Sequence, residues 1–256
     1  MCLVVVALRA HPAYTLVLAA NRDEFHARPA AAAEWGRDGA FAGILAGRDL
    51  FAGGTWLGVR RDGRFALVTN VRDGKPQDPA ARSRGELVPR VLDASGIDAA
   101  FAAIATDGAR YNGFNLLAGD TSGAAWMSNR SAATRRITGG THGLSNALLD
   151  VPWPKIVRTE ARLQAWAARA DADVAPLFAA LADREPAPDQ ELPSTGVTLE
   201  RERLLSSPFI VSETYGTRCS TVFTVDRVGR ARFHERSFAP DGGATGDAIE
   251  TWTLAR

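Results

Sequence analysis

Cysteine is nearly absent from this sequence, and so are long hydrophobic runs and any excess of one charge. Two cysteines in 256 residues cannot build a disulfide framework, and such sparing use suits a reducing compartment. A cytoplasmic protein is expected. No stretch reaches the roughly 18 consecutive apolar residues that a spanning helix needs, so no membrane span is expected. The apolar run Cys2 to Leu8 has no basic residue before it, and Arg9, His11 and Pro12 follow it instead of a small-residue cleavage site. It reads as a first strand, not a signal. The 30 basic and 29 acidic side chains leave a formal charge of +1, which offers no field to draw in nucleic acid or an anionic membrane. The four histidines, at 11, 26, 142 and 234, have no metal-ligand spacing with one another or with the cysteines. Neither a metal nor a cofactor is expected.

What is present is an ordinary globular composition, 46% hydrophobic and 23% charged, in a chain long enough to bury a full core. No repeat, linker or low-complexity tract interrupts it, and one domain over 1–256 is expected. Cys2–Arg9 and Tyr14–Ala20 read as two strands of a hairpin, followed by strands at Thr55–Arg60 and Arg64–Asn70 around an Asp62-Gly63 turn. Ser83 and Glu86 have capping-box spacing ahead of Leu87, Val88, Val91 and Leu92. A second helix is expected from Asp98 to Thr106, then strands at Phe114–Ala118 and Ala124–Asn129. Pro154 suits a first helical position, and Asp173 suits the cap of a helix ending at Leu181. Glu185–Gly196 reads as a mobile loop, and Thr217–Asp226 with Ala231–Phe238 as a last hairpin. The order β-rich, helical, β-rich predicts helices packed on antiparallel sheets.

Cys2 is the first residue with chemistry. Removal of Met1 before a small residue leaves a thiol and a free α-amine on one carbon. Their reference pKa values are roughly 8.5 and 7.7–8.0, so the amine can serve as base for its own nucleophile. On its own, such a cysteine more often simply packs in its strand. Its neighbours add weight. Asn21-Arg22-Asp23-Glu24-Phe25 ends the second strand, where consecutive buried polar groups are costly unless each bonds to something; a plain Asx turn is the bland reading. Thr69-Asn70 and Leu144-Ser145-Asn146 end other strands, and an Asn amide there can donate to an oxyanion without titrating. His142 either lines the same place or is structural. Trp56, among glycines, either walls a pocket or fills the core. Strand alternation turns Cys219 away from whatever Arg218 faces, and no Cys2–Cys219 disulfide is expected.

Met1-Cys2, Asn21-Arg22-Asp23-Glu24-Phe25, Arg28-Pro29, Gly53-Gly54-Thr55-Trp56-Leu57-Gly58, Thr69-Asn70-Val71-Arg72, Ser83-Arg84-Gly85, Tyr111-Asn112-Gly113-Phe114-Asn115, Gly143-Leu144-Ser145-Asn146, Pro152-Trp153-Pro154-Lys155 and Tyr215-Gly216-Thr217-Arg218 together resemble the NRDE family. That family includes the eukaryotic transport and Golgi organisation 2 proteins, and the match runs from residue 1 to about Phe238. The family is in turn similar to the N-terminal-nucleophile cysteine acylases, which implies an α+β fold: a four-layer αββα sandwich of two antiparallel sheets. Those acylases place an Arg where this chain has Ala20.

Carried over, the resemblance implies that Cys2 attacks an amide carbonyl and Asp23 orients the α-amine. Asn70 then donates to the oxyanion, Asn146 holds the amine or substrate, and Arg218 keeps the thiolate charged. Asn21, Arg22 and Trp56 fall among substrate-binding groups. The implied activity is hydrolysis of a non-peptide C–N amide bond in a small acyl amide through a Cys2 thioester. The alternative, which the family's association with lipid and haem handling also supports, is a non-catalytic carrier for acyl thioesters, lipids or haem. The absence of a Cys-Pro pair weighs against haem.

Overall fold

The computed structural model describes residues 3–169 and 172–255. In chain order the elements are β1 (Leu3–Leu8), β2 (Tyr14–Phe25), β3 (Ala30–Trp35), β4 (Ile44–Asp49), β5 (Leu57–Arg60), β6 (Phe65–Asn70), α1 (Leu87–Asp93), α2 (Ile97–Asp107), β7 (Phe114–Asp120), β8 (Gly123–Ser128), β9 (Arg135–Ile137), β10 (Gly140–Leu144), α3 (Pro154–Ala168), α4 (Ala175–Leu181), α5 (Leu199–Leu204), β11 (Tyr215–Asp226), β12 (Arg230–Phe238) and β13 (Ala244–Thr253). One sheet runs β10-β1-β2-β11-β12-β13 and the other β3-β4-β5-β6-β7-β8-β9, antiparallel at every described pairing.

The first strands are apolar on both faces because both faces are covered. Val4, Val6, Leu8, Leu16, Leu18 and Ala20 meet the second sheet, while Leu3, Val5, Ala7, Val17 and Ala19 pack against Ile156, Leu163, Trp166, Leu177 and Leu181 of α3 and α4. The two-residue period of a strand sorts them. In the other sheet, Leu57, Val59, Phe65, Leu67 and Leu117 turn inward. Ala66, Val68, Leu116 and Ala118 meet Val88, Leu92, Phe101 and Ile104 of α1 and α2. Each fully buried Leu, Ile or Phe side chain contributes about 1.5–3 kcal/mol relative to exposure. The result is the expected four-layer αββα sandwich.

Several local expectations change. The second strand does not stop at Ala20 but continues to Phe25, since Ser220, Cys219 and Thr217 of β11 pair with Asn21, Arg22 and Asp23. Ser83 accepts from the Gly85 amide at 3.3 Å in a short 3-10 turn. Glu86 does not return to Ser83; its carboxylate is taken by the Tyr111 hydroxyl and by Arg82, so no capping box forms. β3, β4, β9, β10, β13 and α5 were not anticipated.

Candidate active site

The polar quartet of β2 divides between two faces. Asn21 donates to the carbonyls of Leu181 and Pro208, both at 2.8 Å, and accepts from the Ser220 hydroxyl at 2.6 Å. It is a fully buried tie between sheet and helix layer, not a group turned toward a cavity. Arg22 faces the other sheet, with its guanidinium 4.3 Å from the Trp56 ring centroid. Glu24 lies within 3.9 Å of Arg22 and 3.8 Å of Arg28. Asp23 accepts from the Thr217 hydroxyl at 2.7 Å, and the same Thr217 oxygen accepts from the Ile210 amide at 2.9 Å.

Beyond the ends of β2 and β6 lies a cavity of about 470 Å³ whose lining includes Asp23, Asn70, Asn146, Arg72, Phe25 and Tyr215. A second cavity, about 290 Å³, includes Arg22, Thr55, Trp56 and Ser83 in its lining. Glu24, Arg28, Asn70 and Arg84 line both. The structure thus brings Asp23, Asn70 and Asn146 to one cavity, though they are far apart in sequence. The Asn70 side chain makes no hydrogen bond to any described residue, while its carbonyl accepts from Asn146 Nδ2 at 2.9 Å. Asn146 in turn fastens its own segment by accepting the Arg72 amide at 2.7 Å. Cys2 lies outside the described residues.

Two residues of this region carried a visible signal, Arg28 and Gly54, but their partners were not picked out from the sequence. Arg28 grips Asp49 through Nε and Nη2, at 3.0 and 2.5 Å. Burial alone would raise the Asp49 carboxyl, but the hydrogen bonds and charge of Arg28 hold it below its ordinary value. Arg28 within Arg28-Pro29 was a visible signal; its partner was not, because Asp49 ends a strand that the sequence does not announce. Gly54 and Gly85 also cross at close quarters. A Cβ on Gly54 would sit 2.6 Å from the Gly85 carbonyl carbon, and the Thr55 amide donates to Gly85 O at 3.1 Å. The two glycines let the β4–β5 loop and the 3-10 turn meet at the wall of the smaller cavity.

Arg218 is not in the cavity of Asp23 and the two asparagines. Its Nη1 donates to the carbonyls of Phe25, His26 and Arg28, each at 3.2 Å, fastening the turn after β2. A register shift between Thr217 and Cys219 breaks strand alternation, so Arg218 and Cys219 line the same chamber and do not point apart. Burial, and then Glu235, push the Cys219 thiol well up, which makes it an unreactive thiol. His142 does not line either cavity. Its Nδ1 meets Asp150 at 2.9 Å.

A family model for Transport and Golgi organisation 2 matches residues 1–240. The chain belongs to the Transport and Golgi organisation 2 family. It is 36% identical over 260 residues to the mouse Transport and Golgi organization 2 homolog, covering 93% of each chain. The human homolog is also 36% identical, with 93% of each covered. The Drosophila melanogaster protein is 27% identical, with 93% of this chain and 92% of the relative covered. Among solved structures, the Caenorhabditis elegans ortholog of N-acylethanolamine-hydrolyzing acid amidase superposes with a TM-score of 0.54 at 10% identity, covering 86% of this chain and 92% of that one. This member of the Transport and Golgi organisation 2 family therefore has an N-terminal-nucleophile hydrolase fold. No helix among the described residues is long and apolar enough to cross a membrane.

Proposed function

We propose that this protein is an N-terminal cysteine amidohydrolase that cleaves a non-peptide C–N amide bond through a Cys2 thioester. The observation that carries the reading is the meeting of Asp23, Asn70 and Asn146 on one cavity. Asp23 on β2 and Asn146 just after β10 belong to the two strands that flank β1, Asn70 ends β6 of the facing sheet, and Cys2 precedes β1 by one peptide bond. The amide specified in the name of the structural neighbour supports the substrate class.

In this reading the α-amine of Cys2 takes the thiol proton, and the sulfur attacks the amide carbonyl carbon. Asp23 orients the amine, and the unbonded Asn70 amide donates to the developing oxyanion. Asn146 fixes the Asn70 backbone by its 2.9 Å hydrogen bond. Collapse breaks the C–N bond, and the amine leaves with the proton. Water then splits the thioester to a carboxylic acid and restores the thiol. Arg218, committed to loop carbonyls, contributes positive potential without touching the reacting atoms; Arg22 and Trp56 wall the smaller cavity. A cytoplasmic setting and a single working unit over 1–256 belong to the same reading.

The test is incubation with a panel of N-acyl amides followed by mass spectrometry of the N-terminal peptide. An acyl adduct confined to Cys2 and lost with time is expected, together with loss of Met1 by intact mass. Cys2→Ser should abolish the adduct and lower turnover on the order of a thousandfold or more. Saturable binding of an acyl amide or thioester to the wild type with no adduct would replace the hydrolase with a carrier.

A further inference from the structure

A third chamber, of about 150 Å³, lies between β3 and the β11–β13 side of the first sheet. Its lining includes Arg22, Arg218, Cys219, Glu235, Ser237 and Thr245. Arg22 and Trp56 separate it from the 290 Å³ cavity, since both line each space. The Arg22 side chain is 4% exposed, yet among the described residues its Nη1 has no hydrogen-bond partner, and neither has the buried Nε of Arg218. Burial, and after it the charge of Arg22, hold the Arg218 guanidinium below its ordinary pKa. Leaving charged donors buried and unbonded costs several kcal/mol by general experience.

The acidic groups nearby do not relieve them. Glu24 reaches Arg22 only at 3.9 Å. Glu235 is bound to the Ala33 amide at 2.8 Å and accepts from the Thr221 hydroxyl at 3.3 Å and the Cys219 thiol at 3.5 Å. It makes no ion pair with either arginine among the described residues. Two cations with free N–H groups therefore face a polar chamber with room for about five water-sized groups, at roughly 30 Å³ each.

We propose that this chamber is a binding site for a small oxyanion, a carboxylate or phosphate group, held between the Arg22 and Arg218 guanidinium groups. Planar guanidinium forks match the oxygens of both anions, which makes them the favoured partner for such groups. Glu235 sets the strength of the site, because its carboxylate opposes the anion. The site does not need the Cys2 nucleophile, and it gives Arg22 and Arg218 a ligand in a chamber outside the cavity of Asp23 and Asn70.

The experiment is calorimetric titration and thermal unfolding of the full chain with sodium acetate and with inorganic phosphate, at ionic strength fixed with chloride. Saturable binding of either anion with a rise in Tm is expected; acetate alone marks a carboxylate site and phosphate alone a phosphoryl site. Arg22→Met and Arg218→Met should each weaken binding at least tenfold, and Glu235→Gln should tighten it. If Arg22→Met does not fold, Arg218→Met and Glu235→Gln carry the test. Binding should survive in Cys2→Ser, which separates this site from the hydrolase. No saturable binding, equal stabilisation by chloride, or affinity unchanged in the folded arginine variants would each overturn the proposal.

Discussion

Asn115 and Asn70 are the same residue type one register step apart on neighbouring strands, and they do opposite work. Asn115 faces Thr69 across β6 and β7. It donates to the Thr69 hydroxyl at 3.0 Å and the Ala147 carbonyl at 2.8 Å, and accepts from Trp126 Nε1 at 3.3 Å. It is wholly buried, and its amide is spent on the fold. Asn70 ends β6, the strand of Thr69, lines two cavities and spends none of its side chain on described partners. Burial does not separate structural from functional polar groups here; saturation of their hydrogen bonds does.

The comparison is easiest to break at its functional end. Asn70→Ala should lower amide turnover by about a hundredfold to a thousandfold, the usual cost of one oxyanion donor. Its effect on stability should stay within about 0.5 kcal/mol, as for changes away from structural features. Normal turnover with lost stability would reverse the assignment. Asn115→Leu should do the opposite. It strands the Trp126 N–H and the Ala147 carbonyl, at roughly 1–3 kcal/mol for each buried group left unbonded. Urea unfolding should therefore show a loss of about 3 kcal/mol, with turnover per folded molecule preserved. Between these lies Gly54→Ala. The new methyl would meet the Gly85 backbone at 2.6 Å, and overpacking of this kind costs about 1–3 kcal/mol. Because that crossing walls the smaller cavity, KM should rise as the urea midpoint falls; a change in only one of them would show that the crossing is not shared by site and core.

The layers were legible because both faces of β1 and β2 are apolar and because Leu87, Val88, Val91 and Leu92 repeat at helical spacing. Five strands, β3, β4, β9, β10 and β13, were not. β4 and β10 carry glycines at Gly47, Gly140 and Gly143 where an apolar run would otherwise show. β13 is an edge strand whose residues are mostly exposed, so no hydrophobic pattern marks it. The polar quartet looked like a strand end because sequence cannot reveal that β11 pairs through it. In the site, Asp23, Asn70 and Asn146 could be named from strand-end motifs, whereas Glu235 left only a faint trace. It shares the inward face of β12 with Ala231 and Phe233, a charge where alternation calls for another apolar residue. The bulge at Arg218 left no trace at all, and it decided where Arg218 and Cys219 point.

The smallest effect expected comes from a saturated cluster at the edge of the sandwich opposite β13. His142 Nδ1 lies 2.9 Å from Asp150 and Nε2 lies 3.2 Å from the Gly139 carbonyl. Both ring nitrogens face acceptors, so only the imidazolium satisfies both. Arg135 also reaches Asp150, at 3.0 Å, and the Gly143 amide donates to its other oxygen at 3.1 Å. The hydrogen bond to Asp150 raises the His142 pKa against the opposing effect of burial and of Arg135. Burial would raise the Asp150 carboxyl, but His142 and its other partners lower it. A raised histidine stabilises fully below its unfolded pKa of about 6.5 and loses that contribution as pH rises through the folded value. A lowered aspartate loses its contribution only as pH falls below about 3.9 toward its folded value. The pair should thus contribute most between about pH 4 and 6.5. The cluster is partly solvated, so its worth is under about 1 kcal/mol. Urea midpoints at pH 6 and pH 8 should fall further for the wild type than for His142→Gln, whose side chain cannot titrate. Parallel falls in both proteins would show that His142 carries no charge in the fold, and that this saturated cluster is held by Arg135 and the Gly143 amide alone.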